Sequence, residues 1–248
     1  MSKIDIFERE ESSIKSLDFQ GYGLTSVPVF RQYQHRNSFG LDPNKKIHRI
    51  FQTEYLNNDI LNGYLTLPRA SASIWKDPLE NPLSDVKDID SVTGGVITLG
   101  DLVNSFHAIC WTHRDKPEAS DWKNFSHGKK AIRITTSVGK LMDRIMSIQD
   151  SYYMHRAWLI EVEYKDPAAI AIMQNPPEVY RRTESSGALL ALAAAIVRTS
   201  YSSEDEIRLL FDASLQPYLE GMIVLKNPDR IQIPFEWNGF IENQEFGP

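Results

Sequence analysis

Apolar residues recur with different periods along the chain, and the changes of period outline its elements. Residues 1–45 are polar and broken by Gly21, Gly23, Pro28, Gly40 and Pro43, which predicts an irregular arm with a short helix before Leu17. The first firm element is Lys46-Ile-His-Arg-Ile-Phe51, a strand of β-branched and aromatic residues. Thr53 can cap a helix in which Tyr55, Leu56, Asp59, Ile60 and Leu61 recur near helical spacing, and Gly63 stands where that helix should end. Tyr64–Leu67 reads as a second strand. Pro68, Pro78, Pro82 and Gly94-Gly95 predict a loop from there to residue 95.

Further strands are predicted at Val96–Leu99, Phe106–Trp111, Ala131–Thr135, Trp158–Tyr164 and Ile207–Phe211. Met222–Leu225 and Arg230–Pro234 read as a late pair. Helical spacing follows Ser137, where Val138, Leu141, Met142, Ile145 and Met146 share one face, and returns in Pro167–Ala171 and the alanine-rich Ser185–Arg198. No internal repeat is visible. Strands and helices mix without a steady β-α-β rhythm, which points to an α+β domain over residues 46–248.

Composition narrows the function classes. The 248 residues are 42% hydrophobic, enough for a core without staples. Cys110 is the only cysteine, which excludes an internal disulfide and a multi-cysteine zinc site. With 27 Lys and Arg against 33 Asp and Glu the net charge is −6, so a basic face over the whole protein is not expected. A local groove around Lys129, Lys130, Arg181 and Arg182 stays open as a route to nucleic acid. The N-terminus lacks the apolar core of a signal peptide, and the longest uncharged apolar run, Ser185–Val197, falls short of the ~20 residues that span a bilayer. A cytoplasmic protein with no membrane contact is the expectation.

Gly-x-Gly-x-x-Gly, Walker A, Gly-x-Ser-x-Gly and His-Glu-x-x-His patterns are missing, and the six histidines are scattered. No metal set is predicted, and the chemistry falls to carboxylates, arginine and aromatic rings. Glu204-Asp-Glu206 precedes a strand, and two carboxylates two residues apart on extended backbone share one side. Close like charges raise one member's pKa, which suits a pair that orients a sugar hydroxyl and faces a cationic sugar-like transition state. A solvated acidic turn neutralised by Arg208 is the plainer reading. Arg49 on the first strand is suited to a phosphate or pyrophosphate, or equally to a neighbouring acid. Trp75-Lys-Asp-Pro-Leu-Glu80 reads as an aspartate-stabilised turn or a cleft-lining loop. Trp122 and Phe125 before Gly128 read as a capped helical turn packing into the core, with an edge free to stack on a nicotinamide or adenine ring.

These segments together resemble a large, poorly characterised bacterial family. Its members share a Lys/Arg-Tyr strand, a helix ending Leu-x-x-Gly-x-Leu, then Asn-Asp-Pro-Phe-Glu, Trp-x-x-Tyr-x-x-x-x-Gly and Glu-x-Glu-x-Arg. The counterparts here are Arg49-Ile50, Leu61-Asn-Gly-Tyr-Leu65, Lys76-Asp-Pro-Leu-Glu80, Trp122-Lys-Asn-Phe125 with Gly128, and Glu204-Asp-Glu206-Ile-Arg208. Lys76 replaces the asparagine and Phe125 the tyrosine. The Glu204-Asp-Glu206-Ile run also resembles the Glu-x-Glu-[Ile/Val] of ADP-ribosyltransferase toxins, which carry an arginine on the first core strand, as Arg49 is here. The nearest counterparts of their Ser-Thr-Ser strand are Ile134-Thr-Thr-Ser137 and Ala70-Ser-Ala-Ser73.

That resemblance implies split β-sheets with flanking helices and NAD as the substrate. Glu206 would be catalytic, Glu204 would position the acceptor, and Arg49, His48, Phe51, Trp122 and Phe125 would bind NAD. It also implies a nucleic-acid or protein acceptor and a neutralising antitoxin. The alternatives are a non-enzymatic binding module of a phage-defence locus and a metal-dependent nuclease. The nuclease would need the loop carrying Asp77 and Glu80 to fold over the strand carrying Glu204 and Glu206.

Overall fold

A computed structural model describes residues 2–21, 26–77, 79–80, 82–83, 85–89, 92–146, 156–173, 187–214, 224–227 and 229–247. Two-residue alternation along its central strands separates two bodies of core. On β5 (Phe106–Thr112), Ile109 and Trp111 enter one cluster, and Phe106 and Ala108 the other. On β10 (Glu206–Asp212), Ile207, Leu209 and Phe211 join the first and Leu210 the second. Central strands covered on both faces have no solvent side to fill with polar residues, which is why β10 reads as a nearly continuous apolar run.

In chain order the elements begin with α1 (Lys3–Phe19), α2 (Val27–Asn37), β1 (Lys46–Gln52), α3 (Thr53–Asn62), β2 (Tyr64–Pro68) and α4 (Ala72–Trp75). They continue with β3 (Lys87–Ile89), β4 (Val96–Thr98), α5 (Gly100–Val103), β5, α6 (Ala119–Ser126), β6 (Ala131–Ser137) and α7 (Val138–Ile145). Then come β7 (Ala157–Glu161), β8 (Glu163–Lys165), α8 (Pro167–Met173), α9 (Ala188–Ala194), β9 (Ile196–Arg198) and a 3-10 turn at Thr199–Glu204. After β10 the chain closes with β11 (Val224–Asn227), β12 (Arg230–Pro234) and β13 (Asn243–Phe246).

The chain is a single α+β body with split sheets. One antiparallel sheet has the order β13-β6-β1-β5-β10-β7 and a second the order β11-β12-β2. The split lies at β5. At its far end Thr112 pairs with His48 of β1, and that is the one β1–β5 register pair among the described residues. At its near end His107 bridges Arg69, just beyond β2, and the Phe106 carbonyl accepts the Ala70 N–H at 2.9 Å. β5 therefore belongs to one sheet at each end, and the sheets part along it. The wedge between them is filled by Phe51, Trp111, Phe235, Trp237 and Phe240, whose rings meet at 4.8–6.4 Å.

Several expectations hold. Gly63 closes α3 at φ +68°, a conformation that costs glycine least. Ser137 caps α7 by accepting the Lys140 N–H, and Val138, Leu141, Met142, Ile145 and Met146 are all buried. Others are corrected. Within residues 1–45, where one short helix in an irregular arm was expected, the described residues include two helices, α1 and α2. Phe7, Ile14, Val29, Phe30 and Tyr33 are buried there, and Asn37 donates to the Ala157 carbonyl of β7 at 2.8 Å. The apolar positions of α1 are sparse, so packing rather than periodicity makes it a helix. The expected loop at 68–95 contains α4 and β3, and the expected strand 158–164 breaks at Val162 into β7 and β8. The alanine-rich helix ends at Ala194 because Ile196–Arg198 pairs in parallel with β8. Arg181 and Arg182, Pro78, and the starts of the predicted elements at Ser185 and Met222 lie outside the described residues. Among the described residues no helix is long and apolar enough to cross a membrane.

Because Phe30 is buried in the larger cluster, Phe30→Ala is expected to lower stability by about 3–4 kcal/mol in urea unfolding. A loose arm would show almost no change.

Candidate functional site

Where β1 and β5 diverge, a narrow cleft opens with about 470 Å³ of free space out to its mouth. Consecutive residues of both strands line it: His48, Arg49 and Ile50 from β1, and Cys110, Trp111 and Thr112 from β5. Asp121 and Phe125 of α6, Arg133 of β6, and Arg114 and Pro117 complete one wall. Glu204 and Glu206 form the other. Five of the seven residues expected from the sequence, namely Arg49, His48, Phe125, Glu204 and Glu206, thus share one pocket.

The cations differ in how they are held. Arg114 pairs with Asp121 at 2.6 Å, and Arg133 donates to the Arg114 carbonyl at 2.7 Å. Arg49 has no carboxylate partner among the described residues. Its guanidinium lies 4.8 Å from the Phe51 ring and donates to the Cys110 carbonyl, a group left over where the strands part. Burial lowers the Arg49 pKa, opposed by the nearby Cys110, Glu206 and Asp59. His48 Nδ1 lies 2.9 Å from the Thr135 hydroxyl, and burial and then Arg133 lower its pKa, which favours neutral imidazole. Buried nitrogens of His48 (Nε2), Arg49 (Nε), Trp111 (Nε1) and Arg114 (Nε) have no hydrogen-bond partner among the described residues. These are four of ten such side-chain atoms among the described residues, and His48 Nε2 lies 3.7 Å from the Asp115 carboxylate.

The two glutamates differ more sharply. Glu204 is the last residue of the 3-10 turn, and Asp205 turns the backbone into the left-handed region at φ +49°. The expected extended backbone is therefore corrected: a turn, not strand alternation, brings both carboxylates to the cleft. His113 Nε2 holds the Asp205 carboxylate at 2.7 Å, which fixes the turn. Glu204 is partly exposed, yet desolvation and then the Glu206 charge push its pKa up to about 7.

Glu206 is buried and anchored through both side chain and backbone. Arg208 Nε donates to Oε1 at 2.7 Å and Nη2 to Oε2 at 3.3 Å. The Glu206 N–H donates to the Tyr164 hydroxyl at 2.9 Å, and its carbonyl accepts the Val162 N–H at 3.0 Å. Arg208 in turn reaches Glu80 Oε1 at 2.5 Å and the Ala194 carbonyl at 2.8 Å, and lies 4.6 Å from the Trp75 ring. The Trp75–Glu80 segment is thus both the aspartate turn, with Asp77 accepting the Leu79 N–H at 3.0 Å, and a clamp over β10. Asp77 is held separately by Arg198 at 2.9 Å. Arg208 does neutralise the acidic run, as the plainer sequence reading had it, but does so in the interior and leaves Glu204 free.

Phe51 and Trp122, expected among the NAD-binding residues, do not line the cleft. Phe51 lies on the same side of β1 as Arg49, beneath its guanidinium, and packs against Trp111 and Trp237 in the aromatic wedge. Trp122 packs with Ile50 and Ala131 behind the wall, in the core role its i, i+3 spacing with Phe125 also allowed. Sequence reasoning missed Arg114, Arg133, Trp111 and Asp121. The adjacency of Arg133 to β1 was a register fact, Ile50 opposite Arg133, that no local pattern carries.

Compared with models of known families, with curated proteins and with solved structures, the chain has no match. Functional assignment therefore rests on this geometry and on the resemblance of the motifs.

Folded Glu204 holds its proton up to about pH 7, against 4.5 for an ordinary glutamate, so the folded state binds more protons between those values. Stability is expected to fall as pH rises from about 4.5 to 7, by on the order of 1–2 kcal/mol after solvent screening. Glu204→Gln should flatten that slope in urea titrations across the window. Glu80→Ala removes one partner of a buried guanidinium and should destabilise by about 3 kcal/mol, with Glu80→Gln costing less.

Proposed function

We propose that the chain is an NAD-dependent ADP-ribosyltransferase of the bacterial toxin or phage-defence type, with the cleft at the β1–β5 divergence as its active site. The observation that carries this reading is one juxtaposition. An arginine without a carboxylate partner and two carboxylates of unlike environment, distant in sequence, meet where two antiparallel sheets part. The parting sheets support an ADP-ribosyltransferase-like fold. The Thr135 hydroxyl on the strand beside β1, in contact with His48, supports Ile134–Ser137 as the counterpart of the Ser-Thr-Ser strand.

The enclosed part of the cleft is small, about 40 Å³, so a bound dinucleotide would lie mostly along and beyond the mouth, with only its reacting end reaching in. Arg49 would hold the pyrophosphate, and Phe125 at the mouth offers a ring for stacking. Glu206, fixed by Arg208, would accept a hydrogen bond from the ribose 2′-hydroxyl and stabilise the developing oxocarbenium charge. The C1′–nitrogen bond breaks and its electron pair leaves with neutral nicotinamide. The acceptor's lone pair forms the new bond to C1′, and its proton passes to Glu204. Glu204 must be ionised to take that proton, so transfer is expected to rise as pH passes through about 7. The acceptor is a nucleic acid or a protein, and an enzyme of this type would be paired with a neutralising protein.

Two features bear on the alternatives. The loop does fold over the strand and brings Glu80 towards Glu206, as the nuclease reading requires, but the Arg208 guanidinium lies between them and occupies an oxygen of each. A carboxylate that can exchange a proton near neutral pH favours a chemical role over a purely binding one.

Glu206→Gln, with folding checked by circular dichroism, should lower NAD consumption by about 10²–10³-fold. Arg49→Ala should act mainly on KM. Undiminished turnover in Glu206→Gln, or no NAD consumption by the unaltered protein in the presence of cell extract, would favour the binding module.

A further inference from the structure

We infer that the surface around Tyr55 docks single-stranded nucleic acid and so presents the acceptor strand to the cleft. Its role as acceptor rests on the transferase reading; the binding itself does not. Three elements meet here. Tyr55 of α3 is 46% exposed. Lys129 Nζ, from the turn after α6, lies 5.4 Å from its ring centroid, and the Arg230 guanidinium, at the start of β12, lies 5.9 Å from it. Lys130 adjoins them, and its carbonyl accepts the Thr53 N–H at 3.0 Å, tying this turn to the start of α3. The same α6 carries Phe125, 37% exposed and part of the cleft lining.

The charge here departs from that of the molecule. On a chain of net charge −6, Lys129, Lys130 and Arg230 are exposed and have no ion pair among the described residues. Cations without an ion pair beside exposed rings are the two parts of a sequence-tolerant single-strand site: cations track phosphates and rings receive unpaired bases. An acidic peptide would use the cations but leave the rings idle. Duplex offers phosphates but keeps its base faces stacked inside.

The test is fluorescence anisotropy on the full chain with short labelled oligo(dU), oligo(U) and a duplex of mixed sequence, across a salt series. Both single strands should bind more tightly than the duplex, and the tighter of the two names the sugar. Tyr55→Ala should weaken single-strand binding roughly five- to hundred-fold and Tyr55→Phe should keep it, because stacking needs the ring and not the hydroxyl. Lys129→Gln with Arg230→Gln should lower the slope of log affinity against log salt by about 1.4. Unchanged binding in Tyr55→Ala, preference for duplex, or no binding at low salt overturns the inference. Tyr55→Ala should leave NAD hydrolysis to water unchanged, and Glu206→Gln should leave oligonucleotide binding unchanged. Tyr55-dependent binding without NAD consumption would sink the transferase and keep the surface. NAD consumption without oligonucleotide binding would do the reverse.

Discussion

The guanidinium of Arg208 is 1% exposed and lies between two carboxylates, and the shape of the candidate site depends on how it is satisfied. A buried cation is tolerated only where its donors are met. Arg208 meets them with Glu206 from its own strand, Glu80 from the segment after β2 and the Ala194 carbonyl at the end of α9, under the Trp75 ring. Pieces from three parts of the chain are thereby drawn onto one face of β10. Glu206 cannot swing away from the cleft without breaking a bidentate contact in the interior. Glu204, one turn earlier, is not held by Arg208 and keeps a proton that can be exchanged near neutral pH.

The second constraint is the parting of the sheets. A strand can hydrogen-bond to only one neighbour on each edge at a given residue. β5 uses one edge throughout for β10, and on the other meets β1 at Thr112 and the end of β2 at His107. Backbone groups between these points lose a sheet partner. The Cys110 carbonyl accepts from Arg49 instead, which places an arginine at the divergence and leaves its Nε unsatisfied. The aromatic wedge of Phe51, Trp111, Phe235, Trp237 and Phe240 fills the space between the sheets on the core side. The cleft is thus a product of sheet geometry, and the polar atoms around it are those that geometry could not pair.

Much of the framework was legible locally. β1, β2, β5, β6 and β10 stand where short runs of β-branched, aromatic and other apolar residues predicted them, and Gly63 and Ser137 mark helix ends through mechanisms that act within one turn. α1 and α2 were not legible, because their few apolar residues, such as Phe7 and Phe30, give a weak stripe and find their partners only in packing. Of the expected site residues, Arg49, His48, Phe125, Glu204 and Glu206 line the cleft, whereas Phe51 and Trp122 pack in the core. Aromatic type alone does not say whether a ring faces a cleft or the core; that depends on which side of a strand or helix meets the next layer.

By itself the sequence determined a mixed α+β chain with a single cysteine and chemistry resting on carboxylates and arginine, since composition and local periodicity act within a few residues. Only the tertiary structure decided which carboxylate is anchored and which is free to titrate. That distinction comes from Arg208 reaching Glu80, a contact between residues far apart in the chain, and from desolvation at Glu204 that exists only once β1, β5 and α6 enclose it.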